Sequence, residues 1–246
     1  MDKLNNKVSI FIPVYNSRIL IHRALRKIYS TFFNSRYNFE IFIVDDCSTD
    51  RTSRFGHLMN KIFNKTTNEI KYLFYSEGPS RRENLARSFY SATGNIICFI
   101  DVDLSCDPSY LLKAIDILNE KQADIVIGSR YIKGAKVKRR LKRRIISFFY
   151  NLTVRLLFKS KIQDHQCGLK VFRKDSIMPV IDRMGYDKEL IRGWFWDAEL
   201  LIRAQRAGLD IIEMPVEWCY ADISTFNFRR ELRCLKAMIK LNEALR

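Results

Sequence analysis

The residues of this chain best suited to chemistry are two pairs of aspartates, each placed directly after an apolar run. Asp101-Val102-Asp103 follows Ile96–Ile100. Two carboxylates one residue apart at a strand end can both address one hard divalent cation, directly or through water. Mg²⁺ or Mn²⁺ held there would neutralise a diphosphate leaving group, which is Lewis-acid chemistry. Asp45-Asp46 repeats the arrangement after Phe39–Val44, where carboxylates can hydrogen-bond a ribose or a base edge. The competing reading of both pairs is a solvated turn or a helix cap. It accounts for Asp50, just ahead of a helix expected from Thr52, better than for acids that end buried strands.

The elements that must position these acids can be read from periodicity. Short β-branched or apolar runs at Val8–Val14, Phe39–Val44, Ile70–Tyr75, Ile96–Ile100 and Ile125–Ile127 predict buried strands. Helical patterns at Ile19–Phe33, Thr52–Asn64, Arg82–Thr93 and from Pro108 through Glu120 alternate with them. Gly94 is expected to terminate the third of these helices. This alternation predicts an α/β fold, a mostly parallel sheet flanked by helices. Such sheets bind ligands beyond the carboxyl ends of their strands, so Asp45, Asp46, Asp101 and Asp103 should share one rim.

The second half reads differently. Lys133–Arg144 is dense in cations, Ile145–Phe158 is aliphatic and aromatic, and Gln163–Arg173 is punctuated by glycine. Helices fit Phe195–Ala207 and Phe228–Leu245, with a strand around Ile211–Trp218. Residues 1–225 are expected to form one domain, with 226–246 a basic amphipathic helix.

With 43 Lys+Arg against 27 Asp+Glu, the net charge of +16 calls for an anionic partner. Nucleic acid is disfavoured, because aromatics follow the basic tract and do not interleave with it. A nucleotidyltransferase would want a Gly-rich N-terminal loop, and Ile12–Asn16 has no glycine. The six cysteines form no CxxC pair, which predicts a reducing, cytoplasmic setting without disulfides. Met1–Lys7 has no signal-peptide character, and no apolar run approaches the roughly 20 residues of a spanning helix. Association with the cytoplasmic face of a membrane is therefore expected to be peripheral.

Ile12-Pro13-Val14-Tyr15-Asn16, then Val44-Asp45-Asp46-Cys47-Ser48-Thr49-Asp50, then Ala92-Thr93-Gly94-Asn95 running into Asp101-Val102-Asp103, resembles the family 2 inverting glycosyltransferases of GT-A (Rossmann-like) fold. Gly128-Ser129-Arg130-Tyr131, Asp164 through Phe172, Trp196–Leu200 and Glu213–Trp218 are similar to the polyprenyl-phosphate (dolichyl-phosphate) sugar transferases, glucosyl branch. The resemblance implies that Pro13, Tyr15, Asn16, Val44, and Asp46 or Asp45 line a nucleoside pocket, with Asp101 and Val102 against the nucleotide-sugar. It implies a divalent cation on Asp101 and Asp103, with Ser105 where some relatives place a further ligand. Arg130 would pair with phosphate, for which a guanidinium fork is well shaped. Arg143, Arg144, Gln166, Lys170 and Ser224 would complete an acceptor-phosphate site. The chain departs from the family at Ser17, where Glu is common, and at Ser224-Thr225, where Ser-Lys is common. The arginine that the mannosyl branch carries shortly before is not found in Tyr220–Ile223.

The implied donor is a nucleotide-sugar, UDP-glucose favoured, and the implied acceptor a polyprenyl phosphate. A lipid phosphate is already anionic and needs no general base, whereas a glycan hydroxyl would need one. Asp197 stands where hydroxyl-using relatives keep that base; it reads equally as a first-turn acid of the following helix. The cations from Lys133 to Arg144 beside Ile145–Phe158 describe a helix lying on anionic lipid, and Phe226–Arg246 has similar character; the alternative for both stretches is a core helix with a solvated basic cap.

Overall fold

The computed structural model describes residues 7–63, 69–79, 81–138, 141–187, 191–219 and 228–245. Its centre is a seven-stranded sheet of β1 (Lys7–Val14), β2 (Asn38–Asp45), β3 (Ile70–Phe74), β4 (Ile96–Ile100), β5 (Ile125–Ser129), β7 (Leu169–Arg173) and β8 (Ile211–Pro215). The spatial order is β3-β2-β1-β4-β7-β5-β8. β7 runs antiparallel to β4 and β5, and the other pairings are parallel. Two short strands, β6 (Lys136–Lys138) and β9 (Glu217–Cys219), pair beside it.

Helices cover both faces. α1 (Arg18–Phe33), α2 (Thr52–Phe63) and α4 (Ser109–Glu120) cover one; α3 (Arg82–Ser88), α6 (Lys174–Met184) and α7 (Phe195–Arg206) cover the other. Side-chain alternation decides which residue faces which layer. Val8, Ile10, Ile12 and Val14 enter the core under α1, whereas Phe11 enters the opposite one and stacks on Phe42 at 4.5 Å. α5 (Leu141–Phe158) and α8 (Phe228–Ala244) build a third, smaller core against α7, into which Cys234, Ala237, Met238 and Leu241 of α8 are buried.

The strand order explains the site. From β1 the chain winds outward through β2 to β3, then returns over the sheet by α3 to place β4 on the other side of β1. Neighbouring strands whose connections leave in opposite directions open a crevice at their carboxyl ends. The β1–β4 junction is that point, and Asp101 stands immediately beyond β4.

β7 and α6 went unforeseen. Leu169–Arg173 contains a fully buried lysine, Lys170, and so lacks the apolar continuity of a central strand, while α6 carries Pro179 internally. Gly94 also has another cause than expected. α3 stops at Ser88 and passes through a single 3₁₀ turn, Phe89–Ser91. Glycine is required at 94 because a Cβ there would lie 2.4 Å from the Lys7 carbonyl oxygen of β1. That close approach lets the Gly94 amide donate to Ser9 Oγ at 3.0 Å, and Thr93 donates through both its amide and its hydroxyl to the buried Glu40 carboxylate. Burial alone would raise the Glu40 pKa; bonds from Ser9, Thr93 and Lys71 more than offset it and hold the group ionised. The clash at Gly94 is with backbone, which cannot turn aside. Gly94→Ala is therefore expected to cost about 1–3 kcal/mol, read as a lower midpoint in urea unfolding with an unchanged slope.

Candidate active site

At the carboxyl rim lies a cleft of about 1280 Å³. Pro13, Tyr15 and Asn16 reach it from the end of β1, Val44 and Asp46 from β2, and Asp101, Val102 and Asp103 from β4. Arg130, Gln166, and Arg143 of α5 complete the set of expected residues that line it. The loops that hold them are tied together by their own polar side chains. Asn16 has φ 46° and accepts from the Thr49 amide at 2.8 Å and the Asp50 amide at 3.2 Å, locking the β1 loop to the β2 loop. Asp46 accepts from the Arg81 amide at 3.0 Å and from Asn84 Nδ2 at 2.7 Å.

Asp101 and Asp103 sit on a tight turn closed by the Leu104 amide donating to the Asp101 carbonyl at 3.1 Å. Burial at the cleft floor pushes the Asp101 carboxyl pKa above its ordinary value; Arg82 draws it down and Asp103 adds to the rise. A cation with coordination sites open to this pair would relieve that strain. Both donors are oxygen, as Mg²⁺ and Mn²⁺ prefer. Gly168 leaves the room they need, since a Cβ there would lie 2.0 Å from Asp101 Oδ2. Among the described residues no cluster of three or more His, Cys, Asp or Glu could hold a metal alone. Two carboxylates leave the rest of an octahedral shell to phosphate oxygens and water, so the donor set fits a cation shared with substrate.

Several expected roles are corrected. Asp45 does not reach the cleft: its buried carboxylate accepts from the Ser48 amide at 2.8 Å and the Tyr72 hydroxyl at 2.6 Å. Ser105 is buried too, and both its amide and its hydroxyl donate to Asp103 at 2.9 Å, so it orients that carboxylate and does not itself line the cleft. Lys170 is fully buried and its ammonium donates to the Cys167 carbonyl at 2.7 Å and to Asp197 at 3.0 Å, out of reach of an acceptor phosphate. Asp197, in the first turn of α7, lies behind the cleft floor between Lys170 and Arg82, which stands 3.4 Å from its second oxygen. Both oxygens thus face cations, the wrong surroundings for a general base. Arg130 lines the cleft but gives two guanidinium donors to Asp164, at 2.7 and 2.8 Å, so only part of its fork can serve a ligand. Arg144 is exposed on α5 away from the cleft lining. Ser224, with Thr225, lies outside the described residues, as do Arg139 and Arg140.

Sequence reading missed Arg82. Its guanidinium donates to Asp101 at 3.0 Å and reaches Asp197, so one cation links the two acids. Burial would lower its pKa, but Asp197 and then Asp101 raise it on balance and keep it charged. A signal existed: arginine in the first turn of a helix opposes the macrodipole, and needs acids from elsewhere to hold it. Arg81, Gly193, Trp194 and Trp218 also line the cleft without having been singled out.

With this geometry in view, the chain can be placed. Residues 9–180 match glycosyl transferase family 2, and the chain belongs to that family. It is 30% identical over 214 residues to Glycosyltransferase AglD of Haloferax volcanii, a match covering 86% of this chain and 33% of that one. It is 26% identical over 231 residues to the dolichyl-phosphate beta-glucosyltransferase of Saccharomyces cerevisiae, covering 87% of this chain and 67% of the relative. The chain thus spans about a third of one curated relative and about two-thirds of the other. Among solved structures it superposes on glucosyl-3-phosphoglycerate synthase from Mycobacterium tuberculosis, in complex with UDP, with a TM-score of 0.67 at 16% identity over 98% of this chain and 82% of that one. A mannosyltransferase from Pyrobaculum calidifontis, in complex with GDP-Man and Mn²⁺, gives 0.61 at 20% identity, covering 93% and 61%. The fold is GT-A.

Two predictions follow from the geometry. In Gly168→Ala the obstructed atoms belong to a side chain that can turn away, so folding is spared while Asp101 is displaced. Mn²⁺ affinity, measured by calorimetry in the presence of a nucleoside diphosphate, is expected to fall about 10–100-fold with little change in thermal midpoint. His165 gives a pH signature. It is buried, with Nδ1–H donating to Asn151 Oδ1 at 2.9 Å and Nε2 accepting from Ser160 Oγ at 2.9 Å, and burial pushes its pKa down to about 4. The neutral ring is the one that fits, so its contribution is full above the unfolded pKa near 6.5 and is lost as pH falls toward 4. Going from pH 7 to pH 5 should remove about 2 kcal/mol of stability through this ring. Urea unfolding of His165→Gln should show a correspondingly shallower pH dependence.

Proposed function

We propose that this chain transfers a sugar, glucose favoured, from a nucleoside-diphosphate sugar, UDP favoured, to a polyprenyl phosphate, with inversion, while docked peripherally on an anionic membrane surface. The observation that carries the reading is one cleft that joins a nucleotide-sized pocket and a carboxylate pair to an inside-out helix. α5 buries Ser147, Asn151, Val154 and Phe158 and exposes Leu141, Ile145, Phe148, Phe149 and Leu156. An apolar face of that size, preceded by exposed Lys133, Lys136 and Lys138, has the make-up of an interfacial helix. No helix among the described residues is long and apolar enough to cross a membrane. The naming of the yeast relative as a dolichyl-phosphate beta-glucosyltransferase supports the acceptor, and the UDP-bound and Mn²⁺-bound neighbours support the donor class and the cation.

The residues divide the work accordingly. Pro13, Tyr15, Asn16, Val44 and Asp46 receive the nucleoside at the ends of β1 and β2. Asp101 and Asp103 would hold a divalent cation, which when bound neutralises the diphosphate as it leaves. Arg82 and Ser105 fix the two carboxylates from behind. Arg130, Arg143 and Gln166 face the part of the cleft nearest α5, where an acceptor phosphate would enter from the bilayer. The phosphate oxygen attacks as an anion, so no proton has to be removed. Asp197, enclosed between Lys170 and Arg82, is consistent with that and weighs against the second reading, transfer to a glycan hydroxyl.

The test is transfer of radiolabelled sugar from a panel of nucleotide-sugars to polyprenyl phosphate in detergent, with Mn²⁺, Mg²⁺ or EDTA. A chloroform-soluble product that requires metal is expected, and Asp103→Ala should lower kcat/KM about a hundredfold or more. Donor turnover that yields no lipid product, together with severe loss in Asp197→Asn, would overturn the lipid-phosphate acceptor in favour of a hydroxyl.

A further inference from the structure

We propose that α1 is a second membrane-docking element, which binds acidic phospholipid headgroups on the cleft wall opposite α5. This rests on the membrane reading above but on a different surface. The exposed face of α1 consists of Arg18, Ile19, His22, Arg23, Arg26, Lys27, Ser30 and Phe33. The helix, RILIHRALRKIYSTFF, contains no acidic residue. Lys27 pairs with Asp107 at 2.5 Å, whereas Arg23 and Arg26 have neither ion pair nor hydrogen bond among the described residues. A solvated helix face ordinarily intersperses both signs; this one concentrates one sign and leaves Arg23 and Arg26 unneutralised.

Its position supplies the second part of the argument. Ile19 is 85% exposed at the end of α1 nearest the cleft, and Ile19 and His22 line both the cleft and a shallow groove of about 420 Å³. Arg23, Arg26, Lys27 and Ser30 make the rest of that groove. From Ile19 to Phe33 the face runs about 21 Å at the 1.5 Å rise of a helix. Across the cleft, Ile146 of α5 and Trp194 are also about half exposed, at 45% and 47%. The cleft is therefore lined by exposed apolar side chains from α1 and from α5, and the unpaired Arg23 and Arg26 follow one and two turns along α1 from Ile19. One docking helix would leave the protein free to tilt about its axis; contact on both walls fixes the cleft opening against the lipid surface. An anionic bilayer fits this arrangement better than a soluble polyanion, because the cations continue from an exposed aliphatic tip along one helix and the shallow groove they line has no second wall.

The experiment is co-sedimentation of the full chain with vesicles of phosphatidylcholine alone and of phosphatidylcholine mixed with phosphatidylserine. Three forms are compared: the unaltered protein, Arg23→Glu/Arg26→Glu, and Phe148→Ser/Phe149→Ser on α5. Neither arginine lines the cleft, so the first variant should retain its melting temperature and its transfer to a short-chain, water-soluble acceptor phosphate. Its partitioning onto the acidic vesicles should fall by about tenfold or more, since each cation near anionic lipid contributes on the order of 1 kcal/mol. Acidic-vesicle binding equal to that of the unaltered protein, with loss only in the α5 variant, would overturn the role of α1 and leave the membrane reading standing. Failure of the unaltered protein to bind either vesicle would overturn both. Loss of heparin binding by the arginine variant, with unchanged vesicle binding, would reassign the face to a soluble polyanion.

Discussion

Everything at the carboxyl rim depends on where the Arg82 guanidinium sits. Asp101 and Asp197 come from different layers, one from the end of a central strand and the other from the first turn of α7, and both lose water when the layers close. Arg82 lies between them, and Lys170 holds the far side of Asp197. Charges largely withdrawn from water, as Arg82 and Asp197 are, return little net stability. What the chain of alternating charges provides is position: it fixes the Asp101 carboxylate relative to Asp103 before any ligand arrives. Preorganised charge is where a diphosphate-leaving reaction gains most.

The same constraint shapes the neighbouring elements. β7 is inserted antiparallel between β4 and β5, so its N-terminal end meets the C-terminal end of β4. There the Gly168 carbonyl accepts the Asp101 amide at 3.0 Å, and the missing side chain at 168 leaves space for the Asp101 carboxylate. Two residues further on, Lys170 turns under the floor to meet Asp197. Just ahead, Asp164 grips Arg130 and His165 joins Asn151 of α5. A single stretch of chain thus braces the carboxylate pair, the cleft arginine and the helix that forms the proposed lipid-facing rim. This dense set of contacts explains why the segment reads so poorly as a strand: its residues serve the site on both sides, not a uniform apolar face.

α5 and α1 show the opposite economy. α5 packs by a narrow stripe that includes Ser147 and Asn151, while Phe148 and Phe149 point outward; α1 packs by Ile21, Leu25, Ile28 and Phe32 and presents arginines. Both helices are anchored well enough to hold their outer faces in place beside the cleft. The +16 charge noted from composition is therefore not spread evenly in its consequences, since Arg23 and Arg26 stand unneutralised on the exposed face of α1.

The sequence by itself determined the alternating strands and helices, the carboxyl-end rim and the residues that crowd it. These follow from local rules: apolar runs of strand length, helical periodicity, and acids that stop a buried strand. Asp46, Asp101 and Asp103, placed by the strand ends, reach one cleft, and so do Pro13, Tyr15, Asn16, Val44, Val102, Arg130, Arg143 and Gln166, which the family resemblance implied. Only the tertiary structure decided which of the charged candidates face solvent. Adjacent residues at a strand end point to opposite sides, so Asp46 reaches the cleft and Asp45 is sealed beneath Tyr72. Lys170 and Asp197 carry the right charges for binding phosphate and accepting a proton, yet they neutralise each other in the interior. Arg82, unremarkable in the sequence, gains its place because the return of the chain over the sheet sets α3 against two acids distant in sequence. Side-chain chemistry can be read residue by residue; whether a charge meets a ligand or a counter-charge depends on which layers close over it.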